Sequence, residues 1–351
     1  MGVTDFSILF IISFMVNALI IITKPIHHKL TGDDVVGAQK FHEGTIPRVG
    51  GIGLFVALVC GFYFSAPSIL MAQILTSLTP IFIVGLLEDL FKSISSTIRL
   101  FVSLASASLI VVSTDYQFSS SDIHLIDLVF SSTFAWTVIS VVALAALANG
   151  INIIDGFNGL AIGSSLSMAI SIAALGYVFD DYVILQYCMI FCAGLSGVLI
   201  LNFPKGLIFL GDSGAYTTGL FLGTLGMLLV ERNEEITPLV LLIVFAYPIT
   251  ELLFSILRKT VRRGHRPDRP DKVHLHMLVY RRVGQMSSKS KVIRNSITGL
   301  LMNILCFSGL LYILVVPITR STALMYFLLF VFIYFRLYKK LTLQSRKYER
   351  A

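Results

Sequence analysis

The sequence predicts an all-α, polytopic membrane protein with about eleven transmembrane helices. Three features indicate this fold class: 56% of the residues are hydrophobic, only 13% are charged, and the mean hydropathy is +0.84. Soluble domains contain about twice this share of charged residues. Apolar segments recur along the chain at roughly the 17–25 residues that a helix needs to cross a bilayer. The bilayer is therefore the expected solvent for most of the chain.

The apolar segments place eleven predicted spans in chain order. The first, residues 6–23, has neither a basic segment before it nor a small-residue cleavage site after it, so it is interpreted as a retained helix. A shorter apolar segment, residues 123–130, is predicted either to lie in the outer interface or to be a plain loop. The other ten spans are predicted at 49–66, 68–87, 98–114, 132–149, 158–178, 182–201, 214–230, 237–257, 296–316 and 321–338.

Lysine and arginine residues set the predicted orientation. With the N-terminus outside, 25 of the 27 basic residues fall in cytoplasmic loops or in the C-terminal tail, and only Arg232 and Arg320 remain outside. The positive-inside rule describes this asymmetry, so the C-terminus is predicted to be cytoplasmic. The same rule accounts for the net charge of +7 without nucleic acid as a partner. All four cysteines lie in apolar segments, which argues against a disulfide framework or a thiolate metal site.

Polar residues of unusual types gather at the predicted cytoplasmic ends of the spans. Glu88 and Asp89 are adjacent at the end of the third span, where two carboxylates can bind a hard cation or accept a proton. Taken alone, they are better explained as charges that cap the helix at the interface. Before the second span, Lys40 and Arg48 supply positive charge, and the glycine pair 50–51 permits a tight turn into the helix.

A run of amides, acids and glycines separates the fifth and sixth spans at residues 149–159. Asn152, Asp155 and Asn158 are each three residues apart, which would place them on one face of a helical turn. Three glycines in the run allow the backbone to approach a ligand closely. Because a plain turn beside the membrane does not need this composition, the run is predicted to be functional.

A second cluster of polar and glycine residues precedes the eighth span. Asn202 and Phe209 are followed by Gly-Asp-Ser-Gly at 211–214. A single aspartate among glycines, Asp212, is suited to hold Mg²⁺ while the ion bridges to phosphate oxygens. The N-terminus of the helix that follows also favours anions. Asp212 could instead be the N-cap of that helix, and the two roles are compatible.

The long loop 258–295 brings prolines, arginines, lysines and histidines together. His274 and His276 are two residues apart, so in an extended segment their side chains would point to the same side. With the basic residues around them, they suit a phosphate-binding lid better than a zinc site, which would call for cysteines or an HExxH helix. A solvated basic loop is the alternative interpretation.

Together these motifs resemble the polyprenyl-phosphate N-acetylhexosamine-1-phosphate transferase family. That family includes bacterial undecaprenyl-phosphate GlcNAc-1-phosphate transferases and the phospho-MurNAc-pentapeptide translocase. The resemblance extends over spans two to ten and implies transfer of N-acetylhexosamine-1-phosphate from a UDP-sugar to undecaprenyl or another polyprenyl phosphate, with release of UMP. Five motifs carry it in order: PRxGG at 47–51, the double acid, NxxNxxDGxxGL at 149–160, GDSG at 211–214 and HxH at 274–276.

The resemblance also implies roles for individual residues. Asp212 would be the metal ligand, for Mg²⁺ or alternatively Mn²⁺, while Asp89 with Glu88 would prepare the polyprenyl phosphate or support the metal. The residues expected to line the active site or contact the diphosphate are Asn152, Asp155, His274 and His276. Those expected to hold the nucleotide are Lys40, Asn158, Asn202 and Phe209, with Arg48 as a further substrate contact.

Two positions depart from the family pattern. The double acid is usually Asp-Asp, but position 88 is glutamate, so the role of Glu88 is left open. The histidine motif usually continues with a third histidine, but position 277 is methionine. The second departure argues against a pentapeptide translocase, whose motif is richer in histidine.

The predicted organisation is one integral-membrane catalytic domain, residues 1–351. Its active site is expected on the cytoplasmic face of a bacterial inner membrane, at the first membrane step of a cell-surface polysaccharide pathway such as O-antigen synthesis. The expected partners are a UDP-N-acetylhexosamine and a polyprenyl phosphate lipid; a homodimer is left open. Five cytoplasmic loops are predicted to form the active site: 24–48, 88–98, 150–157, 202–213 and 258–295.

The main alternative function is a secondary transporter with an acidic ion path on the cytoplasmic side. Acids in transporters usually lie near the middle of the membrane, in broken helices. Here the candidate acids lie at helix ends, and Glu251 in the ninth predicted span is the exception. A CDP-alcohol phosphotransferase, another lipid-phosphate enzyme, would need a denser aspartate signature than this sequence contains.

Overall fold

The structure is a computed structural model that describes residues 2–33, 44–261, 273–286 and 289–348. Within these ranges, two short strands, β1 (Gly32–Asp33) and β2 (Ile46–Pro47), pair antiparallel, and all other regular structure is helical. The helices are α1 (Val3–Ile22), α2 (Lys24–Thr31), α3 (Gly51–Phe64), α4 (Ile69–Phe91), α5 (Ser96–Thr114), α6 (His124–Val129), α7 (Thr133–Ile154), α8 (Leu160–Val178), α9 (Tyr182–Asn202), α10 (Gly211–Arg232), α11 (Val240–Val244), α12 (Ala246–Val261), α13 (Leu275–Met286), α14 (Lys291–Val315) and α15 (Arg320–Tyr348).

The helices confirm the predicted all-α, polytopic fold class. In the described part of the chain, nine helices are long and apolar enough to cross a membrane. They are α1, α4, α5, α7, α8, α9, α10, α14 and α15. The other two predicted spans coincide with α3, which has 14 residues and is short for a bilayer, and with the pair α11 and α12. The total of eleven spans therefore stays a prediction.

Helix α10 lies at the centre of the bundle. Residues 211–230 of this helix are all buried, and it packs against α3, α4, α5, α7, α8 and α9. Small residues make the closest of these contacts, as is usual between membrane helices. A Cβ atom added to Gly219 would lie 2.6 Å from the Cα atom of Ala148 on α7. No larger residue fits at this crossing without a shift of the backbone.

The first turn of α10 is held by the segment that leads into α3. The N–H of Phe209 donates to the carbonyl of Pro47 at 2.9 Å, and the N–H of Gly50 donates to the carbonyl of Phe209 at 2.8 Å. On the other side of this turn, a Cβ atom added to Gly85 of α4 would lie 2.6 Å from the backbone nitrogen of Ser213. The PRxGG, double-acid and GDSG motifs therefore meet at one end of the bundle.

The apolar segment 123–130 contains the helix α6 and is not a plain loop. Leu125 and Leu128 of this helix are 71% and 65% exposed, and none of its residues is buried. Exposed leucines on a short helix suit the boundary between lipid head groups and acyl chains. Of the two alternatives for this segment, the structure favours the interfacial helix.

The orientation predicted from the basic residues can be tested with single cysteines. Ser132 before α7 and Ser290 before α14 are both exposed. The predicted orientation places Ser132 outside the cell and Ser290 in the cytoplasm. In a variant without native cysteines, we expect an impermeant maleimide to label Ser132→Cys in intact cells. Ser290→Cys should react only after permeabilisation. The reverse pattern would show that the orientation is inverted.

Candidate active site

A buried carboxylate joins the end of α4 to the start of α10. The Asp89 side chain has no exposed surface. Its oxygens accept the N–H of Asp212 at 2.8 Å, the N–H of Ser213 at 2.9 Å and the hydroxyl of Ser213 at 2.7 Å. The N–H groups in the first turn of a helix have no acceptor within that helix. Asp89 therefore caps α10 from a neighbouring helix.

The capped turn presents Asp212 to two arginines. One carboxylate oxygen of Asp212 pairs with Arg48 and the other with Arg99. The Nε atom of Arg48 also lies 3.7 Å from an oxygen of Asp89. Asp212 is buried, whereas the side chains of Arg48 and Arg99 are 29% and 18% exposed. The two guanidinium groups therefore lie between the buried acids and the surface.

Asp155 is the third acid at this end of the bundle. It ends α7, and its carboxyl group interacts with Asp212, Arg48 and the backbone N–H of Gly211. Burial raises the pKa of Asp155 to about 7; Arg48 opposes the rise and Asp212 adds to it. A carboxyl group with this pKa can gain or lose a proton near neutral pH. Asn152 lies one turn earlier, at the half-buried end of α7.

The side chains of Asn158 and Asn202 connect separate segments of the chain through hydrogen bonds. The Nδ2 of Asn158 donates to the carbonyl of Pro204 at 3.2 Å and to the hydroxyl of Ser296 at 3.1 Å. The amide of Asn202 accepts the N–H of Gly159 at 2.6 Å and donates to the carbonyl of Ile208 at 2.8 Å. These contacts join the loops after α7 and α9. The predicted role of the two amides in nucleotide binding stays a prediction.

Three further predicted residues are less closely tied to Asp212. Glu88 does not join its neighbour Asp89, because it accepts the N–H of Ile94 at 2.8 Å in the loop after α4. Phe209 is half-buried, and its backbone is bonded to the segment before α3. Lys40 lies outside the described residues.

The two histidines lie at the start of α13 and not in the extended segment expected from the sequence. The helix begins at Leu275, and the carbonyl of His274 accepts N–H groups from its first turn. The rings of His274 and His276 are stacked, with centroids 5.4 Å apart. They lie on the same side of the chain, as predicted, but helical geometry places them there.

His276 faces the turn that follows Asp155. Its Nδ1 is 3.0 Å from the hydroxyl of Tyr247, while its buried Nε2 has no partner among the described residues. A Cβ atom added to Gly156 would lie 3.8 Å from this Nε2. Burial lowers the pKa of His276 to about 3, although Glu251 opposes the shift. The ring is therefore neutral near pH 7 and can exchange a hydrogen bond with a ligand, but adds no positive charge.

The acids at this end of the bundle could hold a divalent cation together with a phosphate ligand. In the described residues, no three histidine, cysteine or acidic side chains gather as a complete metal site. Mg²⁺ does not need one, because it usually binds one or two carboxylates and completes its shell with water and substrate phosphates. Asp212 and Asp155 supply that number of carboxylates, and the arginines provide charge for the phosphates.

Residues 71–230 match the model of glycosyl transferase family 4. The chain is 26% identical over 275 residues to the "Probable undecaprenyl-phosphate N-acetylglucosaminyl 1-phosphate transferase" of Bacillus subtilis, which is 76% of each chain. It is 26% identical to the undecaprenyl-phosphate alpha-N-acetylglucosaminyl 1-phosphate transferase of Thermotoga maritima, over 82% of this chain and 86% of the relative. For the Escherichia coli K12 enzyme of that name, the identity is 28% over 69% and 67%.

The family match and these relatives support the polyprenyl-phosphate N-acetylhexosamine-1-phosphate transferase family that the motifs of the sequence resemble. The matched region runs from α4 through α10, so it contains Asp89, Asp155 and Asp212 but neither Arg48 nor the histidines of α13. The protein is a multi-pass membrane protein, and the three acids lie at helix ends within the matched region.

Two residues of the site were not among the predicted site residues. Arg99 was counted only as a basic residue on the cytoplasmic side, yet it pairs with Asp212 across 113 positions of sequence. Glu251 was noted only as a charge within a predicted span, yet it bonds His274. In both cases the signal was a charged side chain at or within a span, where charges are costly and usually functional.

The cap on α10 gives a prediction for the stability of this transferase. In Asp89→Asn, one acceptor oxygen becomes an NH₂ group that faces the N–H groups of α10. We expect a loss of about 1–3 kcal/mol, because a buried donor is left unpaired. Ser213→Ala should lose only about 1 kcal/mol, since the two backbone bonds to Asp89 persist. Thermal unfolding of the purified protein in detergent measures both, and equal melting temperatures for Asp89→Asn and wild type would contradict the cap.

Proposed function

We propose that this protein transfers N-acetylhexosamine-1-phosphate from a UDP-sugar to undecaprenyl phosphate and releases UMP. The observation that carries the proposal is the convergence of Asp212, Asp155, Arg48 and Arg99 at one end of a membrane bundle of this family. UDP-N-acetylglucosamine is the proposed donor, because the relatives are named N-acetylglucosaminyl 1-phosphate transferases. The proposed location is the cytoplasmic face of a bacterial inner membrane, where the donor is dissolved and the lipid stays in the bilayer.

The main obstacle to this reaction is repulsion between two anionic substrates. An oxygen of the lipid phosphate attacks the phosphorus atom next to the sugar, a new P–O bond forms, and the bond to the phosphate of UMP breaks. Arg48 and Arg99 are partly exposed and carry charge that can offset this repulsion through bonds to phosphate oxygens. Mg²⁺ bound at Asp212 and Asp155 would supply further charge for the diphosphate and for the leaving UMP.

Other side chains at the site differ in their proposed roles. Asp155 is proposed to hold Mg²⁺ together with Asp212, because the two carboxyl groups interact. Asp89 is proposed to position and not to react, because three donors already occupy its carboxylate. His276 is proposed to offer its unpaired Nε2 to a hydrogen-bonding group of the substrates. The secondary-transporter alternative finds no support among the relatives.

The nucleotide that leaves distinguishes this reaction from ordinary glycosyl transfer, which releases UDP. We expect purified protein with Mg²⁺, undecaprenyl phosphate and UDP-N-acetylglucosamine to release UMP, because the bond that breaks lies between the two phosphates. Chromatography of the nucleotides measures it, and omission of the lipid is the control. Excess UMP should drive the reaction backward, since the bond made resembles the bond broken. Release of UDP, or of no nucleotide with any UDP-N-acetylhexosamine, would refute the proposal.

The metal role of Asp212 can be separated from a structural role. We expect Asp212→Asn to fold but to lose activity by about a hundredfold or more, because charge on the reacting phosphates is no longer balanced. Mn²⁺ binding, followed by electron paramagnetic resonance in the presence of UMP, should weaken in parallel. Asp181→Asn is the matched control, since Asp181 is a buried acid that pairs with Arg232 at the other end of α10. Normal Mn²⁺ binding by Asp212→Asn would exclude Asp212 as a ligand.

A further inference from the structure

Glu251 is a buried acid within the helical bundle that the reaction as proposed does not use. It lies on α12 and has no exposed surface. An acid inside a membrane protein is costly unless donors surround it, and such acids are usually functional. A buried acid at this position therefore requires hydrogen-bond donors close to its carboxylate.

Several donors surround the carboxylate of Glu251. One oxygen of the carboxylate lies 2.8 Å from the Nδ1 of His274, and the other accepts the hydroxyl of Tyr334 at 3.0 Å. The backbone N–H of Leu275 lies 3.4 Å from each oxygen. Leu275 is the first residue of α13, so Glu251 lies at the N-terminus of that helix as Asp89 does for α10.

The contact with Glu251 determines where His274 carries its proton. An ionised carboxylate only accepts hydrogen bonds, so the Nδ1 of His274 must donate. The Nε2 of His274 is then the end of the ring that remains for a ligand. A second connection runs to the other histidine, because the hydroxyl of Tyr247 interacts with Glu251 and lies 3.0 Å from the Nδ1 of His276.

We propose that Glu251 is a positioning residue that holds the proton of His274 on Nδ1, so that the unprotonated Nε2 of this ring is presented to the substrates as a hydrogen-bond acceptor. This proposal rests on the proposed function for its kinetic consequence, but the tautomer of His274 is independent of activity. The arrangement matches a general pattern in which a carboxylate behind a histidine sets the tautomer and orientation of the ring.

A purely structural role for Glu251 would not depend on the tautomer of His274. If the acid only capped α13, removal of its charge would lower stability and leave the imidazole unchanged. In Glu251→Gln, the amide oxygen can serve Leu275 and Tyr334 while the NH₂ group donates to the Nδ1 of His274. The proton would then move to Nε2, which is the change that separates the two roles.

The first measurement is the nitrogen NMR spectrum of protein labelled with ¹⁵N-histidine. The chain has seven histidines, and the spectrum of His274→Gln identifies the resonances of His274 by their loss. We expect the Nδ1 of His274 to be protonated in the wild type and to lose that proton, in part or in full, in Glu251→Gln. A wild-type spectrum with an unprotonated Nδ1 would overturn the proposal even if no variant folds.

The second measurement is the kinetics of Glu251→Gln with UDP-N-acetylglucosamine and undecaprenyl phosphate. We expect kcat and kcat/KM to fall together by about ten- to a hundredfold, with KM for the donor close to wild type, because a positioning defect acts on the transition state. Asp181→Asn is the matched control. Asp181 is also a buried acid, but it pairs with Arg232 at the far end of α10.

The two measurements together separate the outcomes. A fall in kcat with an altered tautomer supports the positioning role. A loss of stability like that of Asp181→Asn, with the tautomer of His274 unchanged, overturns it, and so does unchanged kcat. If the wild type releases no UMP, the proposed function fails, whereas the ¹⁵N spectra still decide whether Glu251 sets the tautomer.

Discussion

The first N–H groups of a helix that begins inside a protein need an acceptor other than water, and in α10 that acceptor is Asp89. Its carboxylate fixes the first turn of the helix, and the turn fixes the direction of Asp212. Without such an acceptor, a buried donor costs more than an ordinary hydrogen bond contributes. The contacts of Asp212 with Arg48 and Arg99 therefore depend on the hydrogen bonds that Asp89 accepts from the first turn of α10.

At the start of helix α13, a buried carboxylate from another helix again lies against the first N–H group. Glu251 lies against its first N–H group and bonds His274, as Asp89 bonds the turn that carries Asp212. In each case an acid on one helix anchors a second helix whose first residues carry the polar groups of the site. Side chains held this way are already oriented before a ligand arrives, so less order has to be gained when it binds.

The sequence predicted the helices well because hydropathy reports the local solvent of a segment directly, and it also predicted which helix ends carry polar groups. It did not predict pairings between distant residues. The sequence did not show that the carboxylate of Glu88 accepts the N–H of Ile94 in the loop after α4, while that of Asp89 accepts N–H groups of α10. The sequence also did not predict that the Nδ2 of Asn158 joins two parts of the protein, through Pro204 and Ser296. Arg99 resembled any other loop charge until its partner was known.

The complete burial of α10 has a consequence for how the chain is made. Among the nine candidate spans of the described residues, α10 has the lowest mean hydropathy, and it carries buried threonines. Its transfer into lipid is therefore the least favourable of the nine. Six of the helices that pack around it, α3, α4, α5, α7, α8 and α9, precede it in the chain, whereas α11, whose Leu241 lies close to Gly226, follows it. When α10 leaves the ribosome, most of its neighbours have therefore already been made. It can therefore enter a protein environment instead of bare lipid, and the order of helices in the gene provides for its insertion.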